Sequence, residues 1–532
     1  MKINKKILFA HWAAENEKYY SYQTWHHPLK KIFSKVITFD PQKQLLFNTK
    51  DKMNYNFLEL IKKEKPDHVF LWLISDEFYI ETLLKIKEIS PGTKIINYCC
   101  DDDSLFDYYS YYYSLFIDYF LVTHKEYLKQ YINKAFLFLS IDTETFKPLN
   151  VEKIYDVTFV GTPKIDRPEF IKYLMEKGIN LKVFGQGWEN FPEFKKVYGG
   201  VPGSEEYNKI INQSKINLCF TKNPHRDKHI NQRPFEIAAS KSFFIMEYSP
   251  GYLDFFKKGE ELIMFKTKEE LLERISYYLK NKKERIEIAN NAYHKVLKNY
   301  SMDKNLYNFF KKIEKDKLAK TKRDLFFSKA QRVYNLDIND LSFSNRELEN
   351  ILKDYDYVIF KDKNSKSMNF REQLQSHSIG YTSKPISCCN YYIKSNSLGN
   401  YFLFRVNLAY KTLNREDFIK FINLSQLVVE KKYFLENKEK FHRFSNEDKI
   451  QLINEKNTAF ISIPLIEIKK AKIAYLKNIE EFSGILFVEE LLRLHNNKQL
   501  LLSLYPLKMF IYSLFNEPFI LQYMIKKLWK RY

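Results

Sequence analysis

Cysteine is scarce in this chain of 532 residues: Cys99, Cys100, Cys219, Cys388 and Cys389 form neither a CxxC pair nor a metal-ligand spacing. That removes cysteine-held metal sites and CxxC redox chemistry from consideration. Adjacent pairs such as Cys99-Cys100 rarely close a structural disulfide, so a reducing cytoplasm is the expected setting. Long apolar runs are missing as well, and none approaches the roughly 20 residues that a membrane-spanning helix needs. The opening MKINKKILFAHWAAENEKYY is basic at its start but has only a short apolar run. It reads as a first strand and not as a signal peptide. No internal repeat, no low-complexity tract and no recognised nucleic-acid motif is visible. A nucleic-acid partner would rest on charge and aromatics alone and is not expected. A soluble or peripherally bound protein remains.

What is present is length, aromatics and positive charge. The chain is too long for one ordinary domain, and about two to four are expected. Hydrophobic residues make up 45%, enough for proper cores, and the net charge is +21. Phosphorylated small molecules or an anionic membrane surface suit that charge. AT-biased coding accounts equally well for part of the lysine excess.

Strand and helix patterns alternate through residues 1–150: KKILFAHW, HPLKKIFSKVITFD, FLELIKKEKPDHVFLWL, FYIETLLKIKEISPGTKIINYCC and SLFIDYFLVTHKEYLKQYI. Such βαβ alternation predicts a parallel sheet covered by helices. A second series fills 151–320, from DVTFVG and RPEFIKYLMEKGI to DKNLYNFFKKIEK. Two Rossmann-like domains in tandem leave a cleft at the carboxyl ends of their strands. The charged run KKIEKDKLAKTKRD closes this part, and 325–532 form a C-terminal accessory region, α/β or mainly helical.

In the second series, DVTFVGTPKIDRPEFI, VFGQGW, SKINLCF and QRPFEIAASKSFFIMEYSPGYLDFFKKGEELIMF follow in fixed order. This order resembles the CgeB-like (spore-maturation type) glycosyltransferases, near the group-1 clan with the GT-B fold, over residues 1–315. The resemblance implies transfer of a sugar from a nucleotide-sugar donor to a hydroxyl acceptor, a bacterial surface glycan or a glycolipid, with retention favoured. It implies no metal and no cofactor. Ser249 and Gly251 lie between a strand and a predicted helix, where backbone N–H groups face a diphosphate. Gly161 offers similar access, as do Gly185 and Gly187 of VFGQGW. Lys164 and Arg167 fall where the clan places basic residues on the diphosphate. Glu236, in the phrase that begins at Arg233, matches the carboxylate that accepts from the ribose diol. Two departures stand out: Lys228 replaces a second Glu, and Ser240-Lys241-Ser242 replaces a small glycine turn. They favour the alternative of a catalytically inactive glycan- or nucleotide-binding module. Trp188 stacks on a base or sugar, or packs.

The phrase NYCCDDDSLFDYY places three aspartates at a strand end in the acceptor-side domain. Asp101 and Asp102 read as cleft carboxylates that bind acceptor hydroxyls or take a proton. They do not read as metal ligands, and Asp103 suits a helix cap. Extended neighbours alternate in direction, so not all three can face one ligand. His11, Trp25-His26-His27 and His124 are softer candidates near the same loops. In the third region, the phrase around Asp362-Lys363-Asn364 resembles a truncated family-2, GT-A type domain without its full metal motif. The terminal LLLSLYPLKMFIYSLFNEPFILQYMIKKLWKRY either packs as a helix pair or lies on an anionic leaflet.

Overall fold

The computed structural model describes residues 2–469 except 12–13, 15–21, 42, 45–47, 49, 74–76, 165, 222–229, 317–331, 363–364, 396–398, 405–421, 423 and 455. The first sheet contains β1 Ile3–Ala10, β2 Phe33–Phe39, β3 His68–Leu71, β4 Lys94–Cys99, β5 Tyr119–Val122 and β6 Lys134–Leu137. Its strands run parallel in the order β2-β1-β3-β4-β5-β6. Every residue of β3, β4 and β5 is buried, as expected for central strands that helices cover on both faces.

The second sheet contains β7 Tyr155–Val160, β8 Leu181–Phe184, β9 Ser214–Cys219, β10 Phe244–Glu247 and β11 Ile263–Phe265. It is parallel too, in the order β11-β10-β9-β7-β8. In both sheets the chain leaves the first strand one way and later returns to its other side. The two Rossmann-like domains expected from the sequence are therefore present, each with a switch point at its carboxyl edge.

The helix Met302–Glu314 follows the second sheet in sequence but packs on the first domain. Its apolar residues Met302, Leu306, Phe309, Phe310 and Ile313 form one stripe, buried with Phe33 and Phe70. That spacing is the 3.6-residue period of an amphipathic helix. Lys5 and His68 reach Glu314 at 2.5 and 2.9 Å and fix the far end.

The third region is α/β, with a mixed sheet. It comprises β12 Val333–Asp337, β13 Tyr357–Lys361, β14 Ser365–Ser367, β15 Ile386–Ser395, β16 Gly399–Phe404, β17 Leu427–Glu430 and β18 Thr458–Lys469. The order is β12-β13-β17-β15-β18-β14, with β16 beside β15. Asp362 lies in the turn between β13 and β14, while its two successors and the apolar carboxyl-terminal phrase lie outside the described residues. The tyrosine-rich run after the aspartates meets this region: Tyr111 stacks on Tyr381 at 4.0 Å and bonds His377 Nε2 at 2.8 Å, and Phe116 meets Phe370. Among the described residues no helix is long and apolar enough to cross a membrane.

Candidate functional site

A cleft of about 550 Å³ opens where the carboxyl ends of the two parallel sheets face each other. Trp72, Tyr98, Cys100, Asp101, Thr123 and Leu139 form the first domain's wall. Opposite stand Gly161, Thr162, Lys164, Arg167, Tyr207, Ile230, Asn231, Gln232, Arg233 and Glu236. Ligands of such sheets sit at this place because loops, free of strand pairing, present their side chains there.

The second wall carries positive charge. Arg167 opens the helix Arg167–Glu176, and Arg233 opens the helix Arg233–Ala239, each followed by Pro at a position that favours helix starts. Their guanidinium groups lie 5.7 and 5.6 Å from the ring of Phe159. Burial, then the charge of Arg233, lowers the Arg167 pKa to about 10. Burial alone would also lower Arg233, but Tyr207, Cys219 and Glu236 outweigh it and raise it. Among the described residues no partner takes the buried Nε–H of Arg233. Two adjacent cations with donor capacity to spare form a site for a doubly charged anion.

Glu236 is 6% exposed, and one of its carboxylate oxygens accepts from the Tyr207 hydroxyl at 2.9 Å. Burial and the Glu236 charge push the Tyr207 phenol well up, so it remains a donor. Lys164 stands exposed at the rim.

Gly161 contributes room and not backbone access. Its N–H donates to Phe184 at 2.7 Å, and its carbonyl accepts from Trp188 Nε1 at 2.6 Å. A Cβ there would lie 2.7 Å from the Phe159 ring and 3.1 Å from Arg233. Gly185 backs this turn at φ +121°, where a Cβ would fall 2.6 Å from the Gly161 carbonyl oxygen. Gly187 abuts Pro163 in the same way. Neither Gly185 nor Gly187 lines the cleft. Trp188 is fully buried against Phe159 and Phe194, a packing residue.

The structure does not bring Ser249 and Gly251 to the cleft. The segment Pro250–Asp254 is one short 3-10 turn, too brief to gather the aligned N–H groups of an α-helix start. It works from behind: Tyr252 accepts from the Asn231 N–H at 2.7 Å and donates to the Asn231 carbonyl at 3.0 Å. Lys241 also turns away, its ammonium 5.8 Å from the Tyr293 ring. Its backbone keeps a left-handed φ of +53°, the conformation a turn glycine would favour. Lys228 lies outside the described residues.

On the first wall the aspartates separate. Asp101 is exposed and lines the cleft; Asp102 is 1% exposed and accepts twice from Tyr131, at 2.9 and 2.7 Å. Asp102 thus anchors the turn and does not reach the cleft, and nothing is described for the Asp103 side chain. His11 stacks on Trp72 at 4.2 Å, and burial lowers its pKa to about 3. His26 packs on Tyr22, and burial lowers it to about 4. Trp25 is buried and His27 exposed, and neither lines the cleft. His124 sits behind Thr123 and bonds to the opposite wall. Trp72, Tyr98 and Tyr207 escaped the sequence reading. Trp72 directly follows β3 as Asp101 closely follows β4, a signal the first domain offered; Tyr207 lies within an ordinary amphipathic helix and gave none.

No curated protein matches the chain. Among solved structures it is similar to Anabaena HepE in complex with UDP and glucose, at 10% identity and TM-score 0.43, over 59% of this chain and 100% of that one. A glycosyltransferase from Rickettsia africae shows 12% identity and TM-score 0.43 over the same shares. Sucrose-phosphate synthase from Thermosynechococcus elongatus shows 10% and 0.41 over 58% and 99%. Residues 167–311, which carry β8 to β11 and the helices around them, match the family model described as glycosyl transferase-like.

Proposed function

We propose that the chain is a metal-independent hexosyltransferase of the GT-B, CgeB-like type, which moves a sugar from a nucleotide-sugar donor to a hydroxyl acceptor. The observation that carries this reading is the Arg167–Arg233 pair facing Asp101 across one cleft, on a domain of glycosyltransferase type. The donor diphosphate lies against the two arginines and Lys164, and its ribose hydroxyls donate to Glu236, held by Tyr207. As the acceptor oxygen bonds to the anomeric carbon, the bond from that carbon to the diphosphate oxygen breaks. The arginines stabilise the charge that gathers on the leaving nucleoside diphosphate, and Asp101 takes the acceptor proton. The acceptor is a growing bacterial surface glycan or a glycolipid, met in the cytoplasm or at the anionic inner face of the membrane.

A panel of UDP- and GDP-linked sugars tests this by thermal shift and nucleotide release, with EDTA present, for wild type and Glu236→Ala. Stabilisation and EDTA-resistant release by one donor, both lost in the variant, is the expected result. Binding without release, once glycan and glycolipid acceptors are supplied, favours a non-catalytic binding module; no response to any donor contradicts the reading.

A further inference from the structure

We infer that His124 is a positioning residue that clamps the two walls of the cleft together through its neutral, Nδ1-protonated tautomer. The inference rests on the proposed function only for what the cleft holds.

The Ile230 amide fixes the direction of the first bond. The Ile230 backbone N–H lies 3.3 Å from His124 Nε2, and a backbone N–H only donates, so Nε2 carries the lone pair. The ring proton is then on Nδ1, which lies 2.8 Å from Thr123 Oγ1 and donates to it. The Thr123 hydroxyl in turn donates to the Cys100 carbonyl at 3.2 Å. These three bonds run in one direction, from the second domain to the first.

Both ends of the relay adjoin the working parts of the cleft. Ile230 opens the lining segment that runs to Arg233, and Cys100 lines the cleft beside Asp101. His124 itself is 2% exposed and does not line the cleft, so it acts through these neighbours. Two further contacts cross the same gap: Gln232 Nε2 donates to the Tyr98 hydroxyl at 3.2 Å, and Lys125 pairs with Asp254 at 3.2 Å. His124 lies between Tyr98 and Lys125 in the sequence, and it is as deeply buried as Tyr98. Removing its nitrogens would leave a buried N–H and a buried hydroxyl to find new partners. The distance from the arginine wall to Asp101 is what the relay sets.

Full-length protein, with His124→Phe to keep a ring without nitrogens and His124→Gln to restore an acceptor, tests the clamp. In wild type, long-range nitrogen–proton correlation should show His124 as the Nδ1–H tautomer. The peptide containing the Ile230 amide should exchange about tenfold faster in His124→Phe, the worth of one net hydrogen bond, and return toward wild type in His124→Gln. A wild-type Nε2–H tautomer, or equal exchange in wild type and His124→Phe, overturns the inference, and the tautomer result stands even if a variant fails to fold. UDP, GDP and ADP titrations separate the two readings. Binding with unchanged exchange removes the clamp alone, and no binding with the expected exchange removes the proposed function alone.

Discussion

The first domain is held on two sides, and the two contacts differ in chemistry. Toward the second domain it presents Asp101, Trp72 and Thr123 across a cleft whose far wall carries two crowded arginines. Toward the third region it presents buried aromatic rings, Tyr111 against Tyr381 and His377 and Phe116 against Phe370. On the cleft side Asp101 is exposed, and among the described residues the buried Nε–H of Arg233 has no partner. The tyrosine side fills its space with stacked rings, whose pairings add about 0.5–1.5 kcal/mol each beyond burial. Under the proposed function the first contact receives an anionic ligand, while the second stays shut.

Substitutions on each side should separate these roles. The largest effect belongs to Asp101→Asn, which should lower transfer about a hundredfold or more, the usual worth of a general base. Nucleotide affinity should change by less than about twofold, since the carboxylate faces the acceptor. Asp102→Asn should do the reverse, lowering the melting temperature through the Tyr131 bonds while transfer by the folded protein persists. Equal loss of transfer by both variants would erase the distinction between cleft and anchor.

A smaller effect is expected on the tyrosine side. Tyr111→Leu should destabilise the chain by about 1–3 kcal/mol, the range of large-to-smaller changes at a packed site, and leave nucleotide affinity unchanged. Denaturant unfolding and titration of the same sample check both halves. A large drop in affinity would mean that the third region communicates with the cleft through the helix that follows Asp101.

The sequence made one part of this plan plain. Continuous apolar runs such as HVFL and YFLV, set between helical patterns, suit central strands of a covered parallel sheet, and the ordered phrases around Arg167, Arg233 and Glu236 pointed at one pocket. Other parts were hidden for physical reasons. Asp101 and Asp102 are chemically identical neighbours, and only the turn after β4 sends one outward and the other to Tyr131. Ser249-Pro250-Gly251 has the composition of an anion-binding helix start, yet the chain makes only a short 3-10 turn whose Tyr252 braces Asn231. Lys241 stands where a glycine turn is expected, and its left-handed backbone keeps that turn while its side chain lies over Tyr293. The tyrosine run has no periodicity that names its partner, since that partner lies more than 250 residues further along the chain in Tyr381 and His377.

The central claim is that the arginine wall holds a diphosphate. Calorimetric titration of UDP, GDP and ADP against uridine, guanosine and adenosine, for wild type and Arg233→Met, tests it most directly. The account predicts that one diphosphate binds wild type about a hundredfold tighter than its nucleoside, and that most of this margin disappears in Arg233→Met, as expected when a desolvated charge pair loses one partner. Equal affinity for nucleoside and diphosphate in wild type, or a margin untouched by the substitution, would contradict it.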